Sequence, residues 1–467
     1  MNAHTDPQLI AHRRGVFWRI HLWAALIATP FALIGALTGM LYIFTPQIEA
    51  VLHGALDRVQ PAATRLPLDT LVAAAQRAAP EGARLRHMVT PEHADQSVRA
   101  YFGAPGEVDR KAKAKAATDE HAEHATPATA KAGTKAPAMD HRLPQGSIVY
   151  LNPYSGEVLG VQAEMDRFST WSKRLHSSLL QGNDWRWMLE LSTSWLVVML
   201  LTGIYLWWPR AGQRALPAGP LRGRRAWRDW HAFIGVALSL VTLVILATGL
   251  TWSRVAGDQI KTAARWTGQA GPESPKGLRS TVQAGVAPLT WQQAWDAASA
   301  RAPEISYQIS APKRADEPWR VTNFDRGQPG KRFDLLLDNY SAQPLYYRGW
   351  ESFTAFNKAT AVGIPFHRGE FGWWNQLLLL VFGMGVLWGL LSGWVMYFKR
   401  KRQGLLGLPP LKDGALRSVP LAAWLTAVVL MLAMPLLALS AAVVAVVESV
   451  LAWQRHRSAL TGASAAA

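Results

Sequence analysis

Five apolar stretches of membrane-spanning length constrain the fold of this chain more than any other feature of its sequence. They lie at residues 17–44, 187–208, 231–253, 373–398 and 420–453. About 20 helical residues are needed to cross roughly 30 Å of hydrocarbon at 1.5 Å per residue. The first stretch lacks a small-residue cleavage site, so we interpret it as a retained helix and not as a signal peptide. The sequence therefore predicts a polytopic α-helical membrane protein.

Basic residues predict its orientation. The segment 209–230 contains six arginines and one acid, and the segment 399–419 begins Lys399-Arg400-Lys401-Arg402. Short loops rich in Lys and Arg stay in the cytoplasm. The N-terminal segment 1–16 and these two loops are therefore predicted to be cytoplasmic, and the long insertions 45–186 and 254–372 to lie on the outer side of the membrane, which we call periplasmic. We attribute most of the net charge of +17 to this topology and expect no nucleic-acid partner.

The fifth stretch is ambiguous because it is longer than one span requires and contains Pro435. It is expected to form either one kinked span or two short helices, followed by a tail at 454–467. The lipid bilayer is the one partner that composition alone establishes, since 49% of the residues are hydrophobic and 17% are charged.

A tandem duplication organises the first four stretches. His21 and His231 each lie 18 residues before the glycine of a Thr-Gly pair, at Gly39 and Gly249. His176 and His367 each precede a span that contains a glycine near its end, and an arginine follows seven residues after that glycine. These are Gly203 with Arg210 and Gly393 with Arg400. Such self-similarity predicts two copies of one unit, with the fifth stretch outside the repeat.

The two insertions repeat as well. Each contains a helix-like segment, 66–80 or 289–303, followed by alternating segments with Gly, Asn or Ser turns. Helix followed by hairpins is typical of a small α+β module. The predicted fold is a four-helix core with two periplasmic α+β modules and a C-terminal hydrophobic segment.

Four histidines are the candidate site. The topology places His21 and His231 in a cytoplasmic layer and His176 and His367 in a periplasmic layer. An ionisable ring at the mouth of a span marks a functional site, although an interfacial position facing lipid headgroups is the alternative for any one of them. Two helices that each offer one imidazole at matching depth suit a haem b, held by its iron from both faces. We therefore predict two haem groups in a four-helix haem-binding core.

Other cofactors fit the residues less well. The chain has no cysteine, which excludes iron–sulfur clusters and thiolate catalysis. Zinc or copper needs three or four ligands, and no Asp, Glu or Cys lies near the histidines. Four arginines beside the histidines are candidate propionate contacts, although each alone is also typical of a snorkelling interfacial charge: Arg19 and Arg228 in the cytoplasmic layer, Arg174 and Arg368 in the periplasmic layer.

Three stretches carry a resemblance to a known family. "KRLHSSLLQG…TGIYLWWPR", "FHRGEFGWWNQLLLL…SGWVMYFKR" and "YLNPYSGEVLG" resemble the PepSY-associated transmembrane family, iron-regulated inner-membrane proteins that include ferric-siderophore reductases. The resemblance covers about residues 15–402. It implies a location in the bacterial inner membrane, with PepSY-like modules in the periplasm. It also implies electron transfer outward to a ferric siderophore or other ferric chelate, with release of Fe(II) for iron uptake.

A reductase of this kind needs no catalytic residue beyond the haems, because six-coordinate iron is suited to electron transfer. The chelate is expected over the periplasmic haem, near a tryptophan-rich surface: Trp171, Trp185, Trp187, Trp350, Trp373 and Trp374. No Gly-rich dinucleotide fingerprint is present, so we expect no flavin or NAD site in this chain. A membrane quinol or a separate cytoplasmic reductase is the expected electron donor.

Two further predictions remain. Residues 104–142 interrupt the first module and are expected to be disordered, with His121, His124 and His141 as a candidate weak metal site. The alternative function is a non-redox, membrane-anchored binding or sensory module that regulates a periplasmic partner. A transporter is disfavoured, because the repeats are parallel and the spans contain almost no charge at mid-depth.

Overall fold

The computed structural model of the chain describes residues 7–104, 145–208, 217, 223–271, 275, 277–400, 411 and 414–464. The insertion predicted to be disordered, with the candidate metal site at His121, His124 and His141, lies outside the described residues. The helices are α1 (Pro7–Ile43), α2 (Thr45–Asp57), α3 (Leu68–Ala78), α4 (Phe168–Ser178), α5 (Trp187–Trp207), α6 (Gly223–Ala237), α7 (Ser239–Leu250), α8 (Val255–Trp266), α9 (Trp291–Ser299), α10 (Ala355–Arg368), α11 (Trp373–Phe398), α12 (Leu421–Ala433) and α13 (Pro435–Ser464).

Four of the described helical segments are long and apolar enough to cross a membrane: Gln8–Ile43, Asn183–Trp207, Trp373–Phe398 and Pro435–Arg455. A fifth span is formed when α6 and α7 are taken together. The chain is thus a multi-pass membrane protein, as its hydropathy predicts.

The third predicted span, 231–253, is not a single helix. Helices α6 and α7 meet at a bend of 58°. No proline lies at the bend; the break at Leu238 is packed against α11, where a Cβ on Gly385 would collide with the Leu238 side chain. Hydropathy does not detect the bend, because the apolar residues continue across it from Ala232 to Leu250.

The fifth predicted segment, 420–453, is divided unequally. Helix α12 has 13 residues, or roughly 20 Å, which is short of the hydrocarbon thickness. Helix α13 begins at Pro435, a first-turn position where the missing N–H costs nothing. Trp195 on α5 donates a 2.9 Å hydrogen bond to Ser440, which fixes α13 against the helical core.

We name the two ends of the helical bundle by the segments found at each end. At one end, which we call the sheet side, α1 leads into α2 and α11 begins, with Gln376 donating to the Ile43 carbonyl at 3.0 Å. At the other end, the loop side, α5 ends near the start of α1, where Arg14 bonds the Leu206 carbonyl.

The strands of both insertions form one sheet. They are β1 (Leu85–Val89), β2 (Val98–Phe102), β3 (Ser147–Leu151), β4 (Val158–Ala163), β5 (Tyr307–Ser310), β6 (Trp319–Asn323), β7 (Asp334–Leu337) and β8 (Pro344–Arg348). The order is β4-β3-β2-β1-β5-β6-β7-β8, with antiparallel neighbours. The β1–β5 pair, Met88 with Ile309 and Val89 with Gln308, joins the two modules. The sequence predicts the elements of each module but not this union.

Helices α3 and α9 cover one face of the sheet and share its core. Leu68, Met88, Phe102, Ile309 and Leu335 are fully buried there. The two helices also cap each other across the module boundary. Asp69 accepts from the backbone N–H groups of Trp291 and Gln292 at 3.0 and 3.1 Å, and the Gln292 side chain accepts from the Leu68 N–H at 2.8 Å.

The sheet is fastened to the bundle through charge pairs. Arg167, just before α4, donates to Asp57 of α2 at 3.0 and 2.9 Å and also pairs with Glu49. Because its guanidinium is buried, these carboxylates provide the compensation that a buried charge requires.

We expect Asp69→Ala to lower the free energy of unfolding of the sheet by about 1 kcal/mol, the usual cost of a lost helix cap. Amide hydrogen exchange should accelerate at Trp291 and Gln292. Arg77→Ala, an exposed change on the same face-covering helix α3, is the matched control. Equal exchange rates in the two variants would contradict the capping role.

Candidate functional site

The four histidines lie in two facing pairs. The ring centroids of His21 on α1 and His231 on α6 are 6.3 Å apart. Those of His176 on α4 and His367 on α10 are 6.5 Å apart. The structure thus brings together the same pairs that the duplication predicts, with one histidine of each pair supplied by each repeat.

Every one of these rings is held by a hydroxyl group on a helix of its own repeat. The Nδ1 atoms lie 2.8 to 3.1 Å from the hydroxyl oxygens, in the pairs His21 with Thr202, His176 with Thr38, His231 with Ser392 and His367 with Thr248. The same contact recurs in all four places, on four different helices.

The direction of these hydrogen bonds fixes the tautomer. Each hydroxyl donates its one proton to the carbonyl four residues earlier in its helix. The pairs are Thr38 to Ile34, Thr202 to Val198, Thr248 to Val244 and Ser392 to Trp388. A hydroxyl whose proton is used can only accept. Nδ1 must therefore carry the ring proton, and the Met199 and Ile245 carbonyls confirm this at His21 and His367, since they also only accept. In the neutral ring, Nε2 is left as a lone pair.

A glycine follows each hydroxyl residue and gives its histidine room. A Cβ at Gly39, Gly203 or Gly249 would lie 3.2 or 3.3 Å from Cε1 of the neighbouring histidine, and one at Gly393 would lie 3.8 Å away. Separations of 3.2 to 3.3 Å are tighter than ordinary van der Waals contact. The Ser/Thr-Gly pair is thus a cradle in which the hydroxyl orients the ring and the glycine admits it.

The two pairs lie at different depths. On α1, His21 belongs to the loop-side pair, whereas Gly39 packs against His176 of the sheet-side pair. Eighteen helical residues separate them, which corresponds to roughly 27 Å. The pairs therefore lie near opposite faces of the hydrocarbon.

The four candidate propionate arginines differ in their surroundings. Arg19 is buried and pairs with Glu448 of α13 at 2.7 and 2.5 Å. Arg228 is exposed and bonds its neighbour Asp229. On the sheet side, Arg174 donates to Asn183 at 3.0 Å, and Arg368 donates to the Tyr42 hydroxyl at 2.8 Å and pairs with Glu370.

Arg400 is a candidate that sequence reasoning missed. Its guanidinium lies over the Trp18 ring, 4.5 Å from the centroid, on the loop side. Its Nη1 is buried without a hydrogen-bond partner among the described residues. The recurrence of arginine seven residues after Gly203 and Gly393 was its signal.

The sheet-side pair lies beneath a group of positive side chains. Arg174, Arg186, Arg326 and Arg368 all act on Lys173, which is one helical turn from His176. Desolvation by the surrounding protein and repulsion by these arginines lower the pKa of Lys173 to about 8. This electrostatic grouping joins α4, α10 and the β6–β7 connection.

The six tryptophans expected to form one surface lie on several different elements. Trp185, Trp187, Trp373 and Trp374 are exposed at the sheet-side ends of α5 and α11. Trp350 packs against Phe353 near the sheet, and Trp171 packs on Phe168 of α4. Tryptophans at helix ends are typical of membrane interfaces.

A family model described as the PepSY-associated TM region matches residues 18–400. The matched range contains all four histidines and all four Ser/Thr-Gly pairs. No curated protein matches the chain significantly in sequence.

We expect ¹⁵N NMR of histidine-labelled protein to show the ring proton on Nδ1 in the four bundle histidines. Thr38→Val keeps the shape but removes the acceptor, so His176 should lose this preference, at a cost of about 1 kcal/mol for the lost hydrogen bond. Thr426→Val is the matched control, because that hydroxyl bonds only its own helix. A proton on Nε2 in the unsubstituted protein would overturn the assignment.

Proposed function

The chain belongs to the PepSY-associated TM family, and on that premise we propose that it is a di-haem b oxidoreductase of the bacterial inner membrane. It moves electrons across the bilayer to a ferric siderophore or another ferric chelate in the periplasm. The Fe(II) so formed is released for iron uptake.

The observation that carries this proposal is the fourfold histidine cradle. Four bare Nε2 atoms, held in two facing pairs by hydroxyls on rigid helices, are what a metal requires of imidazole ligands. A histidine that served only as an interfacial polar group would have no need of a fixed tautomer, and the same fixed tautomer occurs four times.

The donor set fits haem better than a bare metal ion. When two imidazoles bind the same ion from opposite sides, each at about 2 Å, their ring centroids are roughly 6 Å apart. Both observed centroid separations are close to this value. Within the ranges that the structure describes, no group of three or more His, Asp or Glu side chains is arranged to hold a metal. Haem needs only two imidazoles from the protein, because the porphyrin supplies the other four iron ligands. It therefore fits a pair of histidines that has no third protein ligand nearby in the described part of the chain.

The chain's own residues would hold two such groups. His21 and His231 would ligate the iron on the loop side, and His176 and His367 would ligate it on the sheet side. Arg174 and Arg368 are placed to meet propionates of the sheet-side group, and Arg400 and Arg228 those of the loop-side group. Arg19 differs from these arginines because it is buried against α13 and donates from two nitrogen atoms to Glu448.

Haem with two protein ligands supplies a one-electron couple without an open position for oxygen. The residues around it set the direction of transfer. Positive residues at the loop side, such as Arg224, Arg225 and Lys399, favour the cytoplasm for that side. The sheet then lies in the periplasm, where the sheet-side pair meets the chelate.

The electron balance is simple. One electron converts one chelated Fe(III) to Fe(II), which hard oxygen ligands bind less strongly. A membrane quinol that loses two electrons and two protons would reduce two ferric ions. A separate cytoplasmic reductase is the other possible donor, because the sequence contains no dinucleotide fingerprint.

A non-redox binding or sensory module is the competing function. It would use the eight-stranded sheet and the exposed surface around it, and it would have no use for the histidine cradles. An optical spectrum separates the two functions before any substrate is known.

We expect the purified protein to show about two b-type haems per chain in oxidised and dithionite-reduced spectra. His176→Ala or His21→Ala should leave about one. His93→Ala, at an exposed position after β1, should leave both. A haem-replete preparation without a Soret band would exclude the reductase and favour the binding module.

The glycine of the cradle provides a second test that leaves the ligands intact. Gly203→Val should push the His21 ring aside and remove the loop-side haem, because even a Cβ there lies 3.3 Å from Cε1. Gly235→Val is the control, since nothing lies within 4 Å of a Cβ at that position in α6. Haem content and the reduced-minus-oxidised spectrum are measured for both variants. Full haem occupancy in Gly203→Val would refute the role of this glycine in admitting the His21 ring.

A further inference from the structure

The positive group above the sheet-side histidines is built from separate parts of the chain. Lys173 lies three residues before His176 on α4, and Arg368 follows His367 at the end of α10. Arg326 comes from the β6–β7 connection, which packs against the end of α10: a Cβ on Gly327 would lie 3.5 Å from the Glu370 carbonyl oxygen. The tertiary fold thus gathers residues from distant segments at the sheet-side pair.

These cations are not equally engaged. Arg368 is held by Tyr42 and Glu370, and Arg174 is held by Asn183. Lys173 and Arg326 have neither a hydrogen bond nor an ion pair with any described residue. The surrounding protein partly desolvates both side chains, but each keeps surface that solvent can reach. Glu370 acts on both from a distance, but its carboxylate is paired with Arg368.

The proposed cofactor does not account for all of this charge. One haem has two propionates, and Arg174 and Arg368, adjacent to the ligating histidines or nearly so, suffice for two carboxylates. Lys173 and Arg326 remain, held close to each other and to other cations although like charges repel. The chain places two carboxylates among these five cations, Glu370 and Asp325, so the group keeps a net positive charge that an anionic ligand would offset.

An aromatic surface adjoins Arg326. Phe324 lies two residues before it, with Arg99 over its ring at 5.1 Å and Tyr101 at a centroid distance of 6.2 Å. His87 stacks on Tyr101 at 4.6 Å. Phe324 and Tyr101 therefore provide apolar rings on the Arg326 side of the group, and Arg99 adds a further cation there.

We propose that Lys173 and Arg326 form an anion subsite that selects ferric chelates of net negative charge, with catecholate or carboxylate oxygen ligands, over cationic chelates. The proposal rests on the proposed ferric-chelate reduction and names its substrate class. The two side chains attract the chelate electrostatically and donate hydrogen bonds to its oxygen atoms, while Phe324 and Tyr101 contact its rings.

Binding is tested without any redox step by titrating the purified, haem-loaded full chain with redox-inert gallium(III) chelates. The probes are a triply negative gallium tris-catecholate and a singly positive gallium tris-hydroxamate that bears an amine. Lys173→Gln/Arg326→Gln should weaken the anionic probe about 10-fold or more, the effect of losing charged hydrogen bonds at an exposed site. Lys261→Gln/Arg265→Gln on α8 removes the same charge elsewhere and should change its affinity less than about 2-fold.

The acidity of Lys173 gives a second readout. Its ammonium form is present below a pKa of about 8 and is lost above it. Affinity for the anionic probe should therefore fall between pH 7 and pH 9. Lys173→Arg keeps the charge at both pH values and should remove that fall. The other groups that face Lys173 are Arg174, Arg186, Arg326 and Arg368, which stay charged throughout, and Glu370, whose titration would persist in Lys173→Arg.

The outcomes separate this proposal from the proposed function. Tighter binding of the cationic probe, or unchanged binding of the anionic probe in Lys173→Gln/Arg326→Gln, overturns the subsite while haem content and ferric reduction stand. Loss of haem in that double variant assigns the two cations to propionates and also overturns it. Charge-selective binding by protein that contains no haem would preserve the anion subsite and reject the reductase.

Discussion

The single proton of a helical hydroxyl is the constraint on which the candidate site depends. In each of four places, a Ser or Thr gives that proton to the carbonyl one turn back in its own helix, so its oxygen can only accept. The histidine opposite must then present Nδ1–H to it and keep Nε2 bare. The requirement explains why a glycine comes next, since the ring must approach the helix backbone to reach the hydroxyl.

The duplication becomes functional only when its halves meet. Each histidine is oriented within its own repeat, yet each pair takes one ring from each repeat. The two repeats are also joined outside the membrane helices, by the β1–β5 ladder and by the mutual caps of α3 and α9. An eight-stranded sheet in place of two separate four-stranded ones therefore gives both repeats one shared core.

Two buried arginines differ from the cations of the proposed subsite in whether carboxylates pair with them. The buried guanidinium groups of Arg19 and Arg167 are matched by carboxylates from other helices, as burial demands. Lys173 and Arg326, to which we assign the proposed anion subsite, instead keep surface that solvent can reach, where a charge without a carboxylate partner costs less. The contrast distinguishes charges that stabilise the fold from charges available to bind a partner.

The sequence by itself determined the membrane character, the repeat, the helical and strand segments of the insertions and the identity of the paired histidines. These follow from hydropathy, alternation and spacing, which are properties of residues close together in the chain. The bend at Leu238 and the joined sheet were decided by packing between segments far apart. So was the role of the Thr-Gly pairs: the sequence links Gly39 to His21 by spacing, whereas the structure places it against His176, because a ring is oriented by the helix it touches and not by the helix that carries it.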